Sequence, residues 1–135
     1  MSHSTNLAWP MIITFLVIMV WMPFEGIFWF VTGVGILLTG VWVWVLHQRY
    51  KQIVLNWFPS PAAGVVYWAL TGGMAGLIAP AFILGLMVLK TGVHAHGAEY
   101  TPLEILWVAH QFGTWLMWGA AVGFGVGLIE STFKQ

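Results

Sequence analysis

The stretch that decides the fold runs from Leu7 to Leu46, LAWPMIITFLVIMVWMPFEGIFWFVTGVGILLTGVWVWVL, and Glu25 is its single ionisable residue. As one helix it would measure roughly 60 Å at ~1.5 Å per residue, about twice the ~30 Å hydrocarbon core of a bilayer. The run must therefore fold back. Pro23-Phe24-Glu25-Gly26 is the one place where a proline, a carboxylate and a glycine interrupt it. This reading puts helices at about 7–22 and 27–46. The first is short for a span, so three spans plus a re-entrant or tilted N-terminal segment is the fallback.

Composition points the same way. Of 135 residues, 60% are hydrophobic and only 6% charged, whereas a soluble domain carries about 25% charged residues on its surface and elsewhere. The chain is read as a single membrane domain, 1–135. Its formal net charge is zero and its densest basic stretch is the short His47-Gln48-Arg49-Tyr50-Lys51, which gives a nucleic-acid partner no electrostatic basis. The absence of cysteine removes disulfides and thiolate metal sites together and leaves histidine, glutamate and methionine as ligands. Met1-Ser2-His3-Ser4-Thr5-Asn6 lacks the positive region of a secretory signal, so the first apolar run is expected to be retained as a span.

Working outward, residues 47–61 and 90–101 read as polar loops, and the apolar runs beyond them as helices at about 62–89 and 102–129. Pro80, four residues after Gly76, predicts a kink or an unwound turn in the third helix. Thr101 as N-cap, Pro102 at the first helical position and Glu104 in the first turn mark the start of the fourth. The expected fold is thus an all-α integral membrane protein, a bundle of four transmembrane helices. Arg49, Lys51 and Lys134 against Lys90 favour both termini in the cytoplasm, for a multi-pass protein of a bacterial inner membrane or its equivalent.

Lipid provides no hydrophobic push between helices, so close packing through small residues is expected to hold the bundle. Gly119, Gly123 and Gly127 form one stripe of helix 4, Gly72 and Gly76 share its spacing on helix 3, and Gly26, Gly33 and Gly40 recur every seven residues on helix 2. Trp9, Trp21, Trp57 and Trp107 read as interfacial belt residues, and Trp42, Trp44, Trp115 and Trp118 as deeper bulk.

His110 is the one ionisable residue placed well inside a span, where such groups mark a candidate site. Leu103, Leu106, Gly113, Thr114 and Met117 share its face, and Gly119, nine residues on, lies nearly opposite. The plain expectation is a buried histidine bonded to a neighbouring helix. The sharper one is axial ligation of a haem or chlorophyll beside the gap at Gly113, Thr114 and Met117. His47 lies at the other membrane face, so a second axial ligand would come from a partner subunit. His94-Ala95-His96, near Glu99 and Glu104, is a solvated loop on the plain reading and a copper or zinc site on the sharp one. Glu104 and Gln111, seven apart, offer a polar pair, and Glu130 with Lys134 reads as a solvated ending.

Trp107-Val108-Ala109-His110, followed by Trp115 and Trp118, resembles the pigment-binding helix of light-harvesting beta polypeptides over about a dozen residues. The resemblance implies a chlorophyll ligand at His110. The tryptophan spacing departs from that family and the helix runs on past the point where those proteins end. No phosphate loop, nucleophile with base, or paired carboxylates are present, so the chain is expected to be non-catalytic. The leading expectation is a small subunit of a larger membrane complex, respiratory, photosynthetic or monooxygenase-like, with other membrane subunits and lipids as partners. A copper-handling protein using His94 and His96, or a small transporter or channel, are the alternatives.

Overall fold

The computed structural model describes residues 7–24, 27–57, 60–93 and 99–133. These residues form helices and connections only: α1 (Ala8–Trp21), α2 (Phe28–Trp57), α3 (Pro61–Val93), α4 (Pro102–His110) and α5 (Phe112–Phe133). Three segments are long and apolar enough to cross a membrane, Phe28–Val54, Ala62–Val93 and Phe112–Phe133. The 14 residues of α1 reach only about 21 Å, short of the ~30 Å required. The all-helical membrane reading therefore stands, with three helices of spanning length among the described residues and α1 as a shorter apolar helix beside them.

α1 keeps its expected bounds to within a residue at each end, and the other helices depart from theirs for physical reasons. α2 does not stop at Leu46 but continues to Trp57, because Arg49 and Lys51 are good helix formers that carry the helix out toward polar surroundings. α3 begins at Pro61, where the Ser60 hydroxyl accepts from the Ala63 N–H at 3.1 Å, and runs past Lys90 to Val93. Pro80 is buried inside it and unwinds no turn. The expected fourth helix is two. At Gln111 the backbone N–H bonds to Val108 rather than to the residue four back, a tightened turn that separates α4 from α5. Thr101 caps α4 with a full capping box: its hydroxyl accepts from the Glu104 N–H, and the Glu104 carboxylate accepts from the Thr101 N–H at 2.7 Å.

α3 is the central helix. It packs most extensively on α5, then on α2, while α1 lies against α2, tied by a hydrogen bond from the Trp42 indole to Thr14 at 3.0 Å. The α3–α5 contact is built on glycine: a Cβ placed at Gly72, Gly76, Gly119 or Gly123 would overlap the facing backbone, and one at Gly127 would come within 2.7 Å of the Val65 Cα. On α2 the seven-residue glycine repeat does not mark the contact. Gly33 and Gly40 face open space, and the close approach is at Gly35, against Ile83.

Two polar clusters lie at opposite ends of α3. At one end Lys90, fully buried, donates to the Phe24 carbonyl, pairs with Glu99 at 3.0 Å and lies 5.1 Å from the centre of the Trp21 ring. Trp21 is core rather than belt, packed with Val31, Leu38, Met87 and Tyr100. At the other end Lys51 pairs with Glu130 at 3.0 Å. Trp68 and Lys90, which belong to these clusters, are separated by roughly 33 Å of helix at ~1.5 Å per residue, close to the ~30 Å thickness of a hydrocarbon core.

Tyr100, at the Lys90 end, is 1% exposed and its hydroxyl has no partner among the described residues. Burial first, then the negative charges of Glu99 and Glu104, push its phenol up to about 12 from an ordinary value of 10.0. Above pH ~10 the unfolded chain releases this proton while the folded chain holds it, so the contribution is complete below that pH and falls as pH rises toward 12. Alkaline melting curves are expected to show a decline between pH 10 and 12 that Tyr100→Phe reduces.

Candidate functional site

His110 is the last residue of α4, nine residues after the Thr101 cap and so roughly 13 Å further into the bundle. It is exposed rather than buried, and no neighbouring helix among the described residues bonds it. Gly113 and Thr114 are exposed beside it, and Leu103 and Met117 on the same face are 77% and 73% exposed. A Cβ at Gly113 would meet nothing within 4 Å. Gly119 and Gly123, on the opposite face, carry the packing on α3. Toward the cap, a cleft of about 450 Å³ opens between Phe28, Trp29, Leu103, Glu104 and Trp107, with Phe28 and Trp107 edge to face at 5.5 Å.

The second constellation joins α2, α3 and α5. The His47 Nδ1 and the Tyr67 hydroxyl are 3.0 Å apart, and the Trp68 ring stacks on the imidazole at 4.6 Å and 28°. The Trp68 indole N–H donates to Glu130, whose other carboxylate oxygen takes Lys51. Glu130 is therefore no solvated ending; it clamps α2, α3 and α5 together. Between α2 and α3 a groove of about 550 Å³ runs from this cluster toward the middle of the bundle, with His47 and Tyr67 at its polar end and Leu70, Met74 and Ile78 beyond. This chain matches no protein family, no curated protein and no solved structure.

His94 and His96 lie outside the described residues, as do Glu25, Gly26 and Lys134. Among the described residues no three histidine, aspartate or glutamate side chains gather as a metal site would need. Sequence reading singled out His110 but missed the cluster around His47. The signals were present in part: His47 and Lys51 are four apart on one face of α2, and Glu130 follows Gly123 and Gly127 at helical spacing, which aims it at the neighbour that the glycines contact. What no local pattern carries is the meeting of His47 with Tyr67 and of Lys51 with Glu130 across separate helices.

Proposed function

We propose that this chain is a small non-catalytic subunit of a larger membrane assembly, and that the outward face of α4 and α5 around His110 is its docking face. The observation that carries the reading is an exposed imidazole at the inner end of α4, roughly 13 Å from the Thr101 cap; with the Lys90 cluster at the membrane face, that depth falls within hydrocarbon in this reading. An unpaired polar group in hydrocarbon costs on the order of a few kcal/mol, and ionisable residues in spans almost always face protein or a water-filled cavity. The irregular turn at Gln111, next to His110, has the same need for cover. A neighbouring subunit in the assembly, respiratory, photosynthetic or monooxygenase-like, meets that need on this surface.

The cover includes a tetrapyrrole if the neutral imidazole supplies an axial nitrogen, for which the open space at Gly113, with Thr114 and Met117 beside it, gives a flat ring room. In this reading α1 completes a four-span bundle and both termini lie on the cytoplasmic side with Arg49 and Lys51. Purification in mild detergent is expected to give a complex well above the 15.0 kDa of the chain, which His110→Ala reduces to the monomer. If a haem or chlorophyll is held, its absorption band disappears in the same variant. A wild-type chain that migrates alone and colourless contradicts the proposal.

A further inference from the structure

The groove between α2 and α3 has a polarity gradient. Along α3 its wall runs from Ala62 and Ala63 through Val66, Tyr67 and Leu70 to Met74 and Ile78, a length of roughly 24 Å at ~1.5 Å per residue. Its polar groups lie toward the end of the bundle that holds Lys51 and Glu130, and its deeper half is apolar. Among the described residues no charged side chain lines it: the lining residues are apolar except for His47, Tyr50, Ser60, Tyr67 and Thr71. Of these, Ser60 accepts from the Ala63 N–H and Thr71 donates to the Tyr67 carbonyl.

The His47–Tyr67 pair sets the chemistry of the head group. In one neutral tautomer the tyrosine hydroxyl donates to Nδ1 and the imidazole Nε2–H is left; in the other, Nδ1–H donates to the tyrosine oxygen and the phenolic hydrogen is left. Either way the pair has one donor hydrogen to spare. The Trp68 ring, stacked on the imidazole, holds it in place. With the hydrogen left by this pair and the Tyr50 and Ser60 hydroxyls, the outer end of the groove offers hydrogen-bond donors above a long apolar floor, which is complementary to a hydrogen-bond acceptor on an apolar tail. Inside the groove a phosphate head group would meet no cation among the lining residues; Arg49 stands outside it, 5.8 Å from the Tyr50 ring centre.

We propose that this groove binds an uncharged membrane amphiphile headed by a carbonyl oxygen, the head bonded to the His47–Tyr67 pair and the tail along Leu70, Met74 and Ile78. Two membrane components carry that chemistry, a quinone with an isoprenoid tail and the ester carbonyl of a diacylglycerol. The proposal does not depend on the docking of His110, which lies on another helix.

The test uses the full chain in phosphatidylcholine nanodiscs and a decyl-benzoquinone bearing a photoreactive diazirine. Adducts mapped by mass spectrometry are expected to concentrate on residues 43–78 and to be competed by unlabelled decyl-benzoquinone, with dioctanoylglycerol as the second competitor. Competition by either compound supports the site and identifies its source. The double variant His47→Leu, Tyr67→Phe is expected to weaken labelling at least about tenfold. Met74→Trp, which fills the groove and leaves the pair untouched, is expected to do the same, with helix content checked by circular dichroism for both. Wild-type adducts spread evenly over the exposed surfaces of α1 and α5, or labelling unchanged in both variants, overturn the proposal. The wild-type map alone decides the matter if a variant fails to fold.

Discussion

Gly119→Leu is expected to separate α3 from α5. The added side chain would project into the Gly72 carbonyl and the backbone near Gly76, and a main chain cannot swing aside as a flexible side chain does. Overpacking ordinarily costs about 1–3 kcal/mol and sometimes more. Here the upper end is expected, because the small-residue contact is the main attraction between two helices that lipid does not drive together. Gly123→Leu, against the Trp68 carbonyl, is expected to behave alike and to displace the Trp68–Glu130 contact as well. Gly33→Leu and Gly85→Leu are the controls, since nothing lies within 4 Å of a Cβ at either position. Denaturation of the four variants in detergent, followed by circular dichroism, checks this; equal losses in all four would show that helix propensity rather than packing is being measured.

Lys90→Met is expected to be the second large loss. The lysine is fully buried, donates to the Phe24 carbonyl and stands 3.0 Å from the Glu99 carboxylate, which is 21% exposed, so its removal leaves charge and backbone without that cation. Removing one partner of a buried pair costs about 3–5 kcal/mol, while replacing both is often close to neutral. The double variant Lys90→Met, Glu99→Gln is therefore expected to regain much of the stability that the single variant loses. A double variant no more stable than Lys90→Met would mean that the ammonium acts through the Phe24 carbonyl and the Trp21 ring rather than through Glu99. The same denaturation experiment reads both.

The parts of this fold legible in the sequence were those written locally. Pro23 and Phe24 do follow the end of α1, Thr101, Pro102 and Glu104 do form a helix start, and the four-residue glycine spacing of α5 does define the face that meets α3. Patterns that needed a partner from elsewhere were misread. Arg49 and Lys51 looked like loop residues because charge usually ends an apolar helix, yet Lys51 is held by Glu130, 79 positions away. Lys90 looked like a boundary marker, yet Phe24 and Glu99 allow it to be buried. Position alone puts Trp21 at the interface, yet the ammonium beside its ring belongs to Lys90, on another helix.

The candidate site divides in the same manner. His110 could be singled out because an ionisable residue inside an apolar run is conspicuous, and helical spacing alone separates its face from that of Gly119. Its outward exposure could not be read, since that depends on which side of the helix α3 occupies. His47 was discounted as lying at the wrong membrane face for His110, and its meeting with Tyr67 depends on how α2 and α3 cross, which neither segment encodes alone.

α2, α3 and the α4–α5 pair are expected to cross a bilayer with the Lys51–Glu130 cluster near one face and the Lys90–Glu99 cluster near the other. The chain has no cysteine, so each introduced thiol is the only one. Single variants Ser60→Cys, Ser131→Cys and Pro23→Cys in sealed vesicles, treated with a membrane-impermeant maleimide from each side, test it directly. Ser60→Cys and Ser131→Cys are expected to react from one side and Pro23→Cys from the other. Reaction of Pro23→Cys and Ser60→Cys from the same side would contradict the account.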